Sequence, residues 1–365
     1  MIHTIPSSKK ENRMPLTSAD IIRDPIACYP EATVACFDPT CGELPRRQLD
    51  QARTVAFLQK LAVAGAPAAL VASSTGQGHL RTVDEVEMWF RCAAKAETAE
   101  MLLFALLRPE DGLATGERLL DMLCKMNYPV VFLRPGTDLP VDAGDTAVSD
   151  SLAPFVEAAS ARGLAIGLYS ISDVSGMPLT ADAAAQLLTV SGGDNIVAIK
   201  VTELDYAQST ARFLRHPSLQ RLKIVQGWDP HLARALHDGP RYDRDGRQRV
   251  GITSGLMSLA LYQYLHIMKA ASEHNRDEMA IAREAVTALF QSMQDDPRHF
   301  ADLQRAKYIM GLGHPLTGTV TQDQVSRIFT ALENIPRAED RRRLARSLDL
   351  MQDGPFHNRL VEIAA

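Results

Sequence analysis

The chain has 365 residues, 46 % of them hydrophobic and 23 % charged, a balance that excludes a disordered or membrane-embedded class. Lys and Arg number 39 against 44 Asp and Glu, a formal net charge of −5, and no basic stripe with interleaved aromatics occurs. A nucleic-acid surface built on clustered positive charge is thereby excluded. No apolar run approaches the roughly 20 residues of a membrane span, so no membrane partner is expected.

Residues 1–20 are polar and lack the apolar stretch of a signal peptide. Residues 1–30 are therefore read as a flexible lead-in, and the chain is expected to work in the cytoplasm. The five cysteines (Cys28, Cys36, Cys41, Cys92 and Cys124) form no CxxC pair and no zinc-finger spacing, which fits reduced thiols.

From residue 31 onward, short apolar runs alternate with longer amphipathic stretches. Candidate strands occupy 33–37, 68–73, 102–107, 130–133, 165–169, 196–201, 222–226 and 249–253, mostly bounded by Gly, Pro, Asp or Ser. Helical periodicity follows in stretches such as 49–64, 83–97, 116–126, 150–161 and 180–190, several opening on Asp or Thr and closing at Gly. Eight strand–helix pairs predict an α/β fold, a (β/α)8 barrel over 31–255. A doubly wound sheet is the alternative, but the first strand is followed by no GxGxxG, and the chain has no P-loop. The segment 237–249 is charged and Gly-rich and reads as a long loop. From 256 to 365 the pattern is all helical, a C-terminal appendage in which 337–348 reads as a solvated helix face.

A barrel carries its active site at the C-terminal ends of its strands. Four groups then point to one mouth: Ser73, Ser74 and Thr75; Tyr169; Lys200; and Thr253 with Ser254. Lys200 is the sharpest feature, because it lies in an apolar strand with no other charge before Glu203. Both faces of a parallel barrel strand are covered, so such a lysine must pair with an acid or sit desolvated with a lowered pKa. A desolvated amine can attack a carbonyl and form a Schiff base. The plainer reading is a lysine reaching out of the strand end to pair with Glu203 or Asp229. Tyr169 is placed to exchange protons near Lys200, or else simply fills the core. Ser74 and Thr75 offer hydroxyls and loop amides to a carboxylate, or else form an ordinary turn. None of the ten histidines shows HxH or HExxH spacing, so no metal site and no cofactor is expected.

Together these blocks resemble the dihydrodipicolinate synthase / N-acetylneuraminate lyase superfamily of Schiff-base aldolases. Ser73-Ser74-Thr75-Gly76-Gln77 is similar to its G-[ST]-T-G-E segment. Leu168-Tyr169-Ser170 with Ser175-Gly176 and Leu179-Thr180 is similar to its Y-N-x-P-x-x-[ST]-G segment, and Asn195 to Lys200 to its N-I-V-G-[IV]-K segment. Gly227-Trp228-Asp229 and Gly251 to Gly255 are fainter echoes. The resemblance implies that Lys200 condenses with pyruvate or a related 2-oxo acid and that Tyr169 shuttles protons. It also implies that Ser74 and Thr75 hold the carboxylate, that Thr253 and Ser254 line the substrate site, and that the protein assembles as a dimer or tetramer.

Several positions depart from that pattern. Gln77 stands where the family has Glu, Ser170 where it has Asn, and Val174 where lysine-pathway synthases carry a carboxylate-gripping Arg. Arg134-Pro135-Gly136-Thr137 replaces an aromatic pair, and Arg134 is read as meeting an anionic substrate group or as an ordinary surface residue. The expected activity is a class I aldolase or lyase, or a dehydratase using the same imine, distinct from true dihydrodipicolinate synthase. The alternatives are a non-catalytic, metabolite-binding member of the same superfamily and, more distantly, an unrelated barrel using metal or phosphate chemistry.

Overall fold

The computed structural model describes residues 16–31, 48–98, 100–295, 302–316 and 320–365. Among them, seven strands form one all-parallel, curled sheet in sequence order: β1 (Ala68–Val71), β2 (Leu102–Leu107), β3 (Val130–Leu133), β4 (Ala165–Ser170), β5 (Ile196–Val201), β6 (Lys223–Gln226) and β7 (Val250–Ile252). Every strand residue except Lys223 is buried, as expected of parallel strands covered on both faces. Alternation divides them. In β2, Leu102, Phe104 and Leu106 face an interior cluster, while Leu103, Ala105 and Leu107 face the outer helices.

The strand expected at 33–37 lies outside the described residues. An earlier stretch stands beside both sheet edges instead. Cys28 makes a parallel bridge to Ile252 in β7, and Glu31 makes one to Leu70 in β1. The backbone N–H of Tyr29 donates to the Ile252 carbonyl at 3.0 Å, and that of Leu70 to the Pro30 carbonyl at 3.1 Å. A Cβ added to Gly251 would lie 1.7 Å from the Ala27 carbonyl oxygen, so only glycine lets this stretch come so near β7.

The lead-in expected over residues 1–30 is correspondingly ordered in its later part. Helix α1 (Ser18–Arg23) starts at a Thr17–Asp20 capping box and places Ile21 in the interior cluster. Tyr29 joins the same cluster, edge-on to Phe104 with ring centroids 4.9 Å apart.

Helices cover the outer face of the sheet. They are α2 (Gln51–Val63), α3 (Val83–Ala93), α4 (Leu113–Lys125), α5 (Asp145–Ser160), the single turn α6 (Ser172–Ser175), α7 (Ala181–Leu187), α8 (Thr210–Arg215) and α9 (Leu232–Asp238). Asp50, Thr82 and Thr180 cap α2, α3 and α7 through their side chains. The loop expected at 237–249 begins with the end of α9 and a 3₁₀ turn, Gly239–Tyr242.

The C-terminal region is helical as expected: α10 (Leu261–Ser272), α11 (Arg276–Met293), α12 (Gln304–Ile309), α13 (Gln322–Glu333), α14 (Ala338–Leu348) and α15 (His357–Ala364). Helix α14 is not simply a solvated face, because Leu344, Ala345 and Leu348 are buried on one side. Asp340, also buried, accepts from Gln263 Nε2 at 2.8 Å, which ties α14 to α10. No helix among the described residues is long and apolar enough to cross a membrane.

Candidate active site

Register puts the two leading residues side by side. Tyr169 on β4 and Lys200 on β5 are Cα partners in the parallel ladder, so both side chains enter the interior at one level. Lys200 is 0 % exposed and Tyr169 1 %. The ammonium nitrogen lies over the Tyr169 ring, 3.4 Å from its centroid. It meets the face of the ring rather than the hydroxyl, which donates to Thr202 Oγ1 at 3.2 Å.

The partner of Lys200 is neither Glu203 nor Asp229. Nζ forms an ion pair with Glu31 Oε1 at 2.6 Å, both side chains being fully enclosed. Glu31 Oε2 has no hydrogen-bond partner. Glu203 instead accepts from the Ser170 hydroxyl at 2.6 Å and from the Ser172 amide at 3.0 Å, fastening the loop that follows β4. Ser170 in turn accepts from the Leu179 amide at 3.1 Å, so it braces this loop from the position where an asparagine was expected. Asp229 accepts from Ser254 Oγ at 3.0 Å and from the Tyr264 hydroxyl.

These surroundings set the charges. Burial lowers the Lys200 pKa below that of an ordinary lysine, while the Glu31 carboxylate beside it pulls the other way. Burial, reinforced by the Glu31 charge, raises the Tyr169 phenol well above its usual value, with smaller opposing pulls from the Thr202 and Ser74 hydroxyls. Burial likewise pushes Asp229 up to about 6. The phenol is therefore a proton donor at neutral pH, and the amine is the group eased toward its neutral form.

The other expected site residues divide. Ser74 is buried, and its hydroxyl has no hydrogen-bond partner. Thr75 is buried too, and its carbonyl accepts from Gln304 Nε2 of α12. Thr253 is buried with an unpartnered hydroxyl, and Ser254 reaches the cluster through Asp229. Arg134 is not a surface residue: it is 0 % exposed, ion-paired to Glu110, and bonded to the Pro135 carbonyl at 2.9 Å. Its charge is thus already matched, and none of these contacts joins it to Lys200. Gln77 accepts from the Leu316 amide at 2.8 Å, joining the loop after β1 to the C-terminal region.

Beside this cluster lies a small cavity of about 40 Å³. Strand ends and their loops line one side with Thr75, Thr202, Asp229 and Asp173, and the C-terminal region lines the other with Phe290, Gln294, Asp302 and Leu303. Three of its lining residues are acidic and none is basic.

Sequence reasoning missed Glu31 and Thr202. Glu31 gave the same signal as Lys200, being the sole charge between Asp24 and Asp38. Glu31 follows Pro30 and precedes the more β-like run 33–37, so its own stretch carries no strand signal.

No family model and no curated protein matches the chain. Solved structures do. One is YagE from E. coli, a prophage protein of the dihydrodipicolinic acid synthase family in complex with pyruvate. It has TM-score 0.68 and 16 % identity, covering 85 % of this chain and 98 % of that one. Sialic acid aldolase from Ruminococcus gnavus has TM-score 0.68 and 12 % identity, over 85 % of this chain and 96 % of that one. A variant of 2-keto-3-deoxygluconate aldolase from Sulfolobus solfataricus has TM-score 0.66 and 13 % identity, over 84 % and 94 %. The curled parallel sheet, its helical cover and the C-terminal helices are thus a fold that this chain shares with these solved aldolase and synthase-family structures.

Proposed function

We propose that the protein is a class I aldolase or lyase in which Lys200 forms a Schiff base with pyruvate or a related 2-oxo acid. The observation that carries this reading is the Lys200 amine itself: fully buried, lowered in pKa by that burial, and seated on the Tyr169 ring. Among the structures that share the fold, one is a pyruvate complex, and the Ruminococcus aldolase has a catalytic lysine. Segment 28–31, bridging β7 and β1, is read as the remaining stave of a (β/α)8 barrel.

In this reading the neutral amine adds to the ketone, water leaves, and the iminium draws electrons from the neighbouring carbon so that a C–C bond is made or broken. Ser74, Thr75 and Thr253 carry the buried hydroxyls available to the acid's carboxylate, and Tyr169 donates toward oxygen. A cavity of about 40 Å³ lies beside these groups. Its lining by Asp173, Asp229 and Asp302 suits an uncharged, hydroxylated second substrate and opposes a second carboxylate, which argues against the lysine-pathway reaction. Arg134, satisfied by Glu110, is assigned no direct substrate contact.

Incubation with pyruvate and borohydride, followed by intact-mass and peptide analysis, tests the assignment. The expected result is a reduced adduct on Lys200. Absence of any adduct across a panel of 2-oxo acids overturns it and leaves a metabolite-binding protein of the same fold.

A further inference from the structure

We propose that Glu31 is the general acid–base of this site, exchanging protons with Lys200 and with the bound substrate. The inference rests on the Schiff-base reading above and adds to it a residue from outside the three blocks that suggested it. Oε1 stands 2.6 Å from Nζ as an ion pair without hydrogen-bond alignment, both groups are buried, and Oε2 has no hydrogen-bond partner. The carboxylate is also held from its backbone: the Glu31 N–H donates to the Ser254 carbonyl at 3.3 Å, and the Glu31 carbonyl accepts from the Ser258 hydroxyl. Tyr169 is less well placed for the nitrogen, because its hydroxyl turns to Thr202 and only its ring meets the amine.

The protons balance through this one carboxylate. The steps start from an ammonium and a carboxylate. Transfer of one proton from Nζ to Glu31 leaves a neutral amine, whose lone pair forms the N–C bond as the ketone π electrons move to oxygen. The nitrogen then gives a proton to that oxygen, producing the neutral carbinolamine. Glu31 returns its proton to the hydroxyl, the C–O bond breaks, and water departs. The products are the iminium and the carboxylate, with the two lost N–H protons carried away in the water. The regenerated carboxylate then faces the iminium and can accept the proton from the adjacent carbon, giving the enamine.

Glu31→Gln separates this role from that of a mere counter-ion, because the two predict opposite signs. A counter-ion holds the amine charged, so its removal would free the amine and leave labelling by pyruvate and cyanoborohydride as fast as in wild type or faster. An acid–base catalyst instead predicts labelling slower by roughly 100-fold, together with loss of solvent deuterium exchange at the pyruvate methyl group. Glu31→Gln labelled at or above the wild-type rate overturns the role of Glu31 and leaves the Schiff base standing. Wild type that is never labelled overturns both. If circular dichroism shows that Glu31→Gln does not fold, Glu31→Asp decides, since it keeps the charge but withdraws it by one methylene. A loss of about 100-fold then supports the assignment, and an unchanged rate overturns it.

Discussion

The Cβ that Gly255 lacks would sit 1.8 Å from Thr75 Cγ2, closer than two carbons can approach. Gly255 has an ordinary φ of −65°, so it is the space and not the backbone conformation that demands glycine. Rotating the Thr75 side chain gives no relief, because its Cβ would still lie 2.5 Å away, and its backbone is held by the carbonyl bond from Gln304 of α12. Gly255→Ala is therefore expected to destabilise the fold by about 1–3 kcal/mol through overpacking and to slow adduct formation by displacing Thr75. Chemical denaturation and the borohydride assay on the same preparation check both; an alanine variant with wild-type stability and rate contradicts the packing argument.

Lys200 and Glu31 are each tolerated in the core because of the other. Lys200→Met removes one member and strands a carboxylate among apolar groups, which is expected to cost about 3–5 kcal/mol. The double variant Lys200→Met/Glu31→Leu is expected to regain most of that loss, since replacing both members of a buried pair by apolar groups is often neutral or stabilising. Urea titration of the single and double variants measures the difference. Equal stability of the two would show that Glu31 is not isolated when its partner goes.

Asp229 gives a pH signature. Burial raises its carboxyl from 3.8 to about 6, despite hydrogen bonds from Tyr264 and Ser254 that pull it down. A raised folded-state value means the folded protein binds a proton that the unfolded chain has released. The associated stability is complete below about pH 3.8 and is lost as pH rises through about 6. Asp229→Asn lacks the charged form, so its stability relative to wild type is expected to increase between pH 4 and 6, by at most about 2–3 kcal/mol at pH 8. Melting curves of both proteins across that range provide the check, and a difference independent of pH would contradict the assignment.

Much of the fold was legible because parallel strands buried on both faces appear as unbroken apolar runs. Leu102–Leu107, Val130–Leu133 and Ile196–Val201 have their observed limits in the sequence alone. The stretch beside the sheet edges did not read as a strand, since Ala27–Glu31 contains a proline and a carboxylate and owes its place to bonds with Ile252 and Leu70. Of the candidate site, a charge inside a β-strand core marked Lys200 and brought Tyr169 near it, while their shared register is visible only in the folded sheet. Its ion-pair partner was hidden, because Glu203 and Asp229 follow β5 and the adjacent β6, while Glu31 comes from the stretch beside β1 and β7 at the other end of the sheet order. The surface reading of Arg134 failed for a related reason: the acid that neutralises it, Glu110, follows a different strand.

The backbone bond from Glu31 to Ser254 joins an early-made stretch to the far end of the sheet. During synthesis, Lys200 emerges well before the loop that follows β7, so on the nascent chain it has no fixed carboxylate beside it and no dry wall around it. Only when Val250–Ile252 has left the ribosome can the two ends be stitched together and the nitrogen be shut away from water. The proposed reactivity toward keto acids would on this account be acquired late, as a property of the finished molecule and not of any fragment that precedes it.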